Sequence, residues 1–199
     1  MRFDTERVLG EWSTLVNPGS ALPYALRELT GLDDETLASA PSLESVMPRL
    51  LDFVGDCSLV GQSVDMDLLA LRRQGFQLRN PWIDTFELAT VVLPGLSSYD
   101  LLAEARALGV DVAERHRALA DAQLAREVFL ALRERIHAAG LDVLMHVNRV
   151  TAAFDWPLRS VFVEAEREAK QRAFGSPQEL SLGLLPALRP PQERAEPLV

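Results

Sequence analysis

The spacing of apolar residues changes along this chain, and the spacing predicts where strands and helices lie. Between residues 2 and 16, β-branched and aromatic side chains flank a turn-forming segment at 4–7, which predicts a β-hairpin. Apolar residues then recur every three or four positions over residues 43–54, which is the period of an amphipathic helix. The short apolar run 57–61 predicts a buried strand.

The rest of the pattern is mostly helical. Further helices are predicted at 24–29, 64–74, 84–93, 99–108, 117–138, 141–154 and 158–174. Strands interspersed with helices indicate an α/β layer architecture up to residue 138. We therefore expect an α/β domain at 1–138 and a helical extension at 139–174. The proline-bearing segment 175–199 has few aromatic residues and is expected to be a flexible tail.

Composition narrows the class of protein. The single cysteine, Cys57, excludes a disulfide framework and fits a reducing compartment. The chain opens with no charged-then-apolar leader, and no apolar run approaches the ~20 residues that a membrane-spanning helix needs. We therefore expect a cytoplasmic protein without a membrane partner.

The net charge of −9 argues against a simple basic nucleic-acid binder. It does not exclude a nuclease, because an enzyme that holds divalent cations between carboxylates brings positive charge to the phosphate with those cations. The negative net charge is therefore compatible with a metal-dependent nuclease.

The strongest chemical motif is the H-x-A-x-x-D pattern of residues 116–121 at the start of the long helix. It places the imidazole of His116 at the helix entry and the carboxylate of Asp121 about one turn further on. A histidine so placed can take a proton from water, and the aspartate can hold a metal. The alternative is structural, because a histidine before a helix often caps it and an acid in the first turn is favoured by the helix dipole.

Upstream blocks give that motif a context. In order they are Leu59-Val60-Gly61-Gln62-Ser63-Val64-Asp65-Met66-Asp67, Ile83-Asp84-Thr85-Phe86-Glu87-Leu88-Ala89 and Leu93-Pro94-Gly95, preceded by Asn17-Pro18-Gly19 and Leu29-Thr30-Gly31-Leu32. In order and spacing they resemble the DEDDh 3′–5′ exonucleases, which include the epsilon proofreading subunit of bacterial replicative polymerases and the exonuclease module of DinG-type helicases. The resemblance covers about residues 1–136.

The resemblance implies a fold and a site. It implies an RNase H-like domain with a mixed β-sheet flanked by helices. It also implies that Asp67 and Asp121 bind metal and that His116 is the general base. In the family, four carboxylates hold two Mg²⁺ or Mn²⁺ ions against the terminal phosphodiester. The expected partners are single-stranded or 3′-ended DNA and a polymerase or helicase.

The chain also departs from the family pattern. The D-x-E-T-T-G motif of the first strand is expected roughly 25 to 30 residues before the N-P-G turn, so this chain is expected to lack that strand and its two acids. Asp4 and Glu6 offer a D-x-E in a turn, without the following T-T-G, and we interpret them as a decoy. In the second motif, Gln62 and Ser63 stand where the family usually has His and Asn.

Three functions stay open at this point. The first is a metal-dependent exonuclease acting on DNA 3′ ends. The second is a catalytically impaired module that binds nucleic acid or protein through the same scaffold. The third is a fragment of a longer exonuclease-helicase, although no G-x-x-x-x-G-K-[ST] phosphate loop occurs in the chain. Asp84 and Glu87 are interpreted as a helix cap and a first-turn acid, and Arg72, Arg73 and Arg79 as a solvated face.

Overall fold

Two short strand pairs alternate with helices up to residue 84, and five helices follow in the described residues. The structure is a computed structural model that describes residues 1–112 and 118–175. Strands β1 (Arg2–Phe3) and β2 (Val8–Gly10) form an antiparallel hairpin, as the sequence predicts. The Asp4 carboxylate closes its turn by accepting the backbone N–H groups of Glu6 and Arg7, each at 2.8 Å.

Strands β3 (Leu59–Gly61) and β4 (Trp82–Asp84) form the second pair, which is parallel. Their register places Leu59 opposite Trp82 and Gly61 opposite Asp84. Within the described residues, the two pairs remain separate two-stranded sheets. Strands of both orientations flanked by helices make this an α/β fold, so the predicted fold class is confirmed.

The described residues form nine helices. They are α1 (Tyr24–Thr30), α2 (Asp34–Ala38), α3 (Leu43–Val54), α4 (Val64–Arg73), α5 (Thr85–Val92), α6 (Leu101–Leu108), α7 (Ala118–His137), α8 (Leu141–Thr151) and α9 (Arg159–Phe174). Several begin at side-chain caps, in which an oxygen accepts a backbone N–H of the first turn. Ser42 caps α3 and Asp33 caps α2 in this way. Gly31 ends α1 and Gly109 ends α6, both in the left-handed conformation.

The hydrophobic core forms around α7. Val128 and Leu132 of α7 are fully buried, and they cluster with Leu88 of α5 and Ala105 of α6. The same cluster includes Leu144 of α8, Val161 and Phe162 of α9, and Leu158, which directly precedes α9. Helices α8 and α9 therefore share the core of the preceding region. The division at residue 138 stays a prediction.

Polar contacts also attach α9 to α7. Arg133 of α7 donates to Glu164 and Glu168 of α9, each at 3.1 Å. His137 lies 3.0 Å from Glu168, and Arg172 donates to the backbone oxygen of His137. The two helices therefore pack side by side through both apolar and charged groups.

The sequence pattern misses one strand. Residues 82–84 form β4, whereas the apolar pattern predicts only a helix beginning at Asp84. Three residues are too few to show the strand period, and the strand continues directly into α5. The strand predicted at 57–61 covers only residues 59–61, and it is half-buried rather than buried because one side of it lines an open groove. None of the helices in the described residues is long and apolar enough to cross a membrane.

Candidate active site

The carboxyl ends of the two parallel strands and the first turns of the helices that follow them form one polar edge. Strand β3 ends at Gly61 and leads into α4, and β4 ends at Asp84 and leads into α5. The carboxyl ends of parallel strands are the usual place for ligand sites in α/β proteins. The first turns of both helices also direct backbone N–H groups toward this edge.

Asp84 lies at the centre of this edge. Its side chain is buried, with 3% of its surface exposed. One carboxylate oxygen accepts the N–H of Ser63 at 3.1 Å and that of Phe86 at 2.9 Å. The other accepts the N–H of Val64 at 2.9 Å. The prediction that Asp84 caps a helix is therefore correct, and the structure adds that it caps α4 as well as α5.

Asp67 lies one turn into α4, on the wall of a large groove. Solvent reaches part of its side chain. Even so, desolvation by the surrounding protein raises the pKa of this carboxyl above its ordinary value, and the charges of Asp65 and Asp84 raise it further. A carboxylate held among like charges gains from a bound cation.

Glu87, in the first turn of α5, has a similar environment. Its pKa is also raised, first by desolvation and then by the charges of Asp84 and Asp65. The sequence gives Glu87 only a structural role as a first-turn acid. The structure places it in the same negative field as Asp67.

The groove itself lies between the two strand pairs. It has a volume of about 700 Å³, and Arg2 and Phe3 of β1 line one side while Leu59 and Val60 of β3 line the other. Phe129 of α7 also lines it. The described strands therefore do not close the space between the hairpin and the parallel pair, and Asp67 faces that space.

Asp121 lies in the first turn of α7 and is half-buried. It precedes the buried Ala125, Val128 and Leu132 by four, seven and eleven residues, so it continues the inward face of the helix. The described contacts include no hydrogen bond between Asp121 and Asp67. His116, the predicted general base, lies outside the described residues.

The available donors are of the type that Mg²⁺ and Mn²⁺ prefer, since both ions take carboxylate oxygens. Asp67 fits such an ion because it faces an open groove in a negative field. Within residues 1–112 and 118–175, however, no three His, Cys, Asp or Glu residues are grouped so as to hold an ion. The donor type therefore fits a divalent cation, and the described part of the chain supplies an incomplete set.

A buried polar network behind the site escapes sequence analysis. Gln62 donates to the backbone oxygen of Tyr99 at 2.7 Å and to Glu104 at 3.2 Å. It accepts a hydrogen bond from the hydroxyl of Thr85 at 2.5 Å. Gln62, which directly follows β3, therefore bonds to α5 and α6, and its side chain serves structure rather than the groove.

Glu104 is the most unusual member of that network. It is fully buried in α6, and one of its oxygens, Oε2, has no hydrogen-bond partner among the described residues. Desolvation raises its pKa to about 7, even though the hydrogen bond from Gln62 opposes the rise. The only sequence signal is a glutamate on the apolar side of a short amphipathic helix.

Comparison with known proteins identifies the family. Residues 1–129 match the RNase_T model, described as an exonuclease. The chain is 37% identical over 141 residues to the DNA polymerase III subunit epsilon of Aquifex aeolicus, a match that covers 68% of this chain and 70% of that protein. It is 25% identical over 167 residues to the 3′-5′ exonuclease DinG of Staphylococcus aureus, covering 81% of this chain and 19% of that protein.

A solved structure supports the fold. Exonuclease X, determined in complex with 5′ overhanging duplex DNA, superposes with a TM-score of 0.57 at 22% identity, covering 66% of this chain and 77% of that chain. At that identity the similarity concerns the fold, which is RNase H-like. The family model and the Aquifex relative together confirm the sequence resemblance. The chain belongs to the RNase_T exonuclease family, whose members named here include 3′–5′ exonucleases.

Proposed function

We propose that this chain is a metal-dependent 3′–5′ exonuclease that hydrolyses the terminal phosphodiester of DNA ends. The observation that carries the proposal is the position of Asp67. It lies at the polar edge of the parallel strand pair, in a negative field, and faces the open groove between the two strand pairs. The named relatives are a DNA polymerase subunit and two exonucleases, one of them solved in complex with DNA, which favours DNA as the substrate.

Each residue has a defined task in this proposal. Asp67 and Asp121 would hold Mg²⁺ or Mn²⁺ through their carboxylate oxygens. The bound ions would supply positive charge at the scissile phosphate and lower the pKa of a water nucleophile. His116 would take the proton from that water, since a neutral imidazole is a base near neutral pH. The exposed Arg72, Arg73 and Arg79 are candidates for contacts with the DNA backbone.

A second function has its own supporting observation. The described residues bring no three metal-binding side chains together, and Gln62 is engaged in a structural network. Both facts favour a module that binds nucleic acid or a partner protein without cutting. The relative named as a DNA polymerase III subunit suggests a polymerase as the partner, whether the chain cuts DNA or only binds it. The sequence resemblance keeps a helicase as the other candidate partner.

A nuclease assay separates the two functions. Single-stranded DNA labelled at the 5′ end is incubated with Mn²⁺, with Mg²⁺ or with excess chelator, and the products are resolved on a sequencing gel. The exonuclease predicts a ladder that shortens from the 3′ end and disappears with chelator. The binding module predicts a shifted complex in a native gel and no ladder.

Matched variants assign the activity to the site. Asp67→Asn, Asp121→Asn and His116→Ala should each lower the rate by about 100-fold or more, because each removes a ligand or the base. Asp142→Asn is the control, since Asp142 is an exposed acid in the first turn of α8. Equal rates for Asp67→Asn and Asp142→Asn would contradict the proposed site.

A further inference from the structure

We propose that Asp84 is a positioning residue that fixes the first turn of α4, and with it the carboxylate of Asp67, by capping α4 from the end of the neighbouring strand. This inference rests on the proposed function, because Asp67 is the group that it positions. Asp84 itself is buried and its oxygens are used by backbone N–H groups, so it is not offered as a metal ligand.

The cap of α4 differs from the side-chain caps of α2, α3 and α6. Asp33, Ser42 and Asp100 each accept N–H groups of the helix that they themselves begin. The residue at the start of α4, Ser63, makes no such side-chain bond. Its place is taken by Asp84, which lies 20 residues away from Val64 in the sequence and ends β4.

The backbone at this point depends on that support. Ser63 has a φ of 55°, and it is the only non-glycine residue with positive φ among the described residues. This left-handed conformation is strained for a residue with a β-carbon. The bonds from the N–H groups of Ser63 and Val64 to Asp84 hold the strained residue in place.

The consequence reaches Asp67 through the helix. Asp67 follows Val64 by three residues, which is slightly less than one helical turn. The direction of its side chain is therefore set by the same turn whose N–H groups Asp84 accepts. The third bond of Asp84, from Phe86, ties that turn to the start of α5, where Glu87 lies. One carboxylate thus fixes both helices that carry the acids of the edge.

The test uses a substitution that keeps one cap and removes the other. In Asp84→Ser, the hydroxyl can still cap α5, because serine is a good cap for its own helix. A single oxygen on a shorter side chain cannot also serve Ser63 and Val64. The matched control is Asp100→Ser, which makes the same change at an ordinary cap, where Asp100 accepts the N–H groups of Leu102 and Ala103.

Two readouts are measured on the full chain, and neither is activity. Amide hydrogen exchange of Ser63 and Val64 should rise about tenfold or more in Asp84→Ser, while that of Phe86 changes less. The Mn²⁺ dissociation constant, measured by electron paramagnetic resonance, should rise about 10-fold, which is the usual scale for a residue that orients a ligand. Asp100→Ser should change neither.

Each other outcome has a clear meaning. Unchanged exchange at Ser63 and Val64 in Asp84→Ser overturns the inference. Raised exchange with an unchanged Mn²⁺ affinity overturns it too, because the cap would then be structural only. If the wild type binds no Mn²⁺, the proposed function fails, and the exchange result still reports the cap by itself. If Asp84→Ser does not fold, Asp84→Asn, which keeps one carbonyl oxygen, should give a smaller change in both readouts.

Discussion

The hairpin and the parallel strand pair differ in how firmly they are attached to the rest of the chain. The hairpin contacts α7 mainly through Phe3, whose ring lies 6.4 Å from that of Phe129 and 5.4 Å from the guanidinium of Arg126. The parallel pair continues into α5, whose Leu88 and Ala89 are fully buried. The candidate acids therefore rest on a well-packed region, whereas the opposite wall of the groove rests on few contacts.

The distribution of buried side chains supports the same contrast. In the first 58 residues, only Leu37 and Met47 are buried apolar residues, and every other member of the described core lies between Val64 and Ala165. Stability is not uniform across a protein, and segments with few buried contacts open at low cost. We therefore expect the hairpin wall of the groove to open before the site edge does.

The largest expected effect is the loss of stability caused by a cavity in the well-packed region around α7. Leu132→Ala removes a fully buried side chain from α7, which should lower the free energy of unfolding by about 3 kcal/mol. Urea denaturation followed by circular dichroism measures the change. The control is Leu26→Ala in α1, where the side chain is 45% exposed and the change should stay within about 0.5 kcal/mol. Equal losses in the two variants would refute the contrast between the regions.

A smaller effect depends on pH and comes from Glu104. Its pKa is about 7 in the folded chain against 4.5 for the free side chain, so the unfolded chain releases this proton first as pH rises. The contribution of Glu104 to stability is therefore fully present below about pH 4.5 and is lost as pH rises through about 7. Glu104→Gln removes the titration and should stabilise the protein at pH 8 by about 2 kcal/mol.

Denaturation curves at pH 5 and pH 8 check this prediction. The difference between Glu104→Gln and the wild type should be small at pH 5 and favour the variant at pH 8. Glu44→Gln is the control, because Glu44 is exposed in the first turn of α3. A stability difference for Glu104→Gln that does not vary with pH would show that the carboxyl is not held neutral by burial.

The smallest expected effect concerns the hairpin anchor. Phe3→Ala removes the ring that packs on Phe129, and because Phe3 is only partly buried the loss of stability should be about 1 kcal/mol. Its local effect should be larger, with faster proteolysis between residues 1 and 16. Val8→Ala, in which an exposed side chain of the same hairpin changes, should leave the cleavage rate near that of the wild type. Faster cleavage in both variants would mean that Phe3 is no special anchor.

The helices are predictable because their signals are local. Ser42 and Asp33 act within three residues of themselves, and Gly31 and Gly109 supply the left-handed turn that ends a helix. The family motifs likewise lie in short ordered blocks. Local pattern therefore accounts for the elements and for the positions of Asp67 and Asp121 on α4 and α7, while their metal-binding role stays a prediction.

The contacts that complete the candidate site join distant residues. Asp84 has an evident role as the cap of α5, but its bonds to Ser63 and Val64 depend on the parallel register of β3 and β4. The strand β4 itself is too short to show a period. Glu104 lies on the apolar side of α6, but a glutamate is seldom fully buried, and its burial follows from helix packing. Such features require the tertiary structure, because no local preference encodes them.

The central claim is that Asp67 and Asp121 serve one divalent-cation site, and a Mn²⁺ titration tests it most directly. Mn²⁺ is titrated into four proteins: the wild type, Asp67→Asn, Asp121→Asn and the Asp142→Asn control. Electron paramagnetic resonance measures the concentration of free Mn²⁺ at each step. We predict that the two site variants each weaken binding by about 10-fold or more, and that Asp142→Asn matches the wild type. Equal Mn²⁺ affinity in all four proteins, or no binding by the wild type, would contradict the claim.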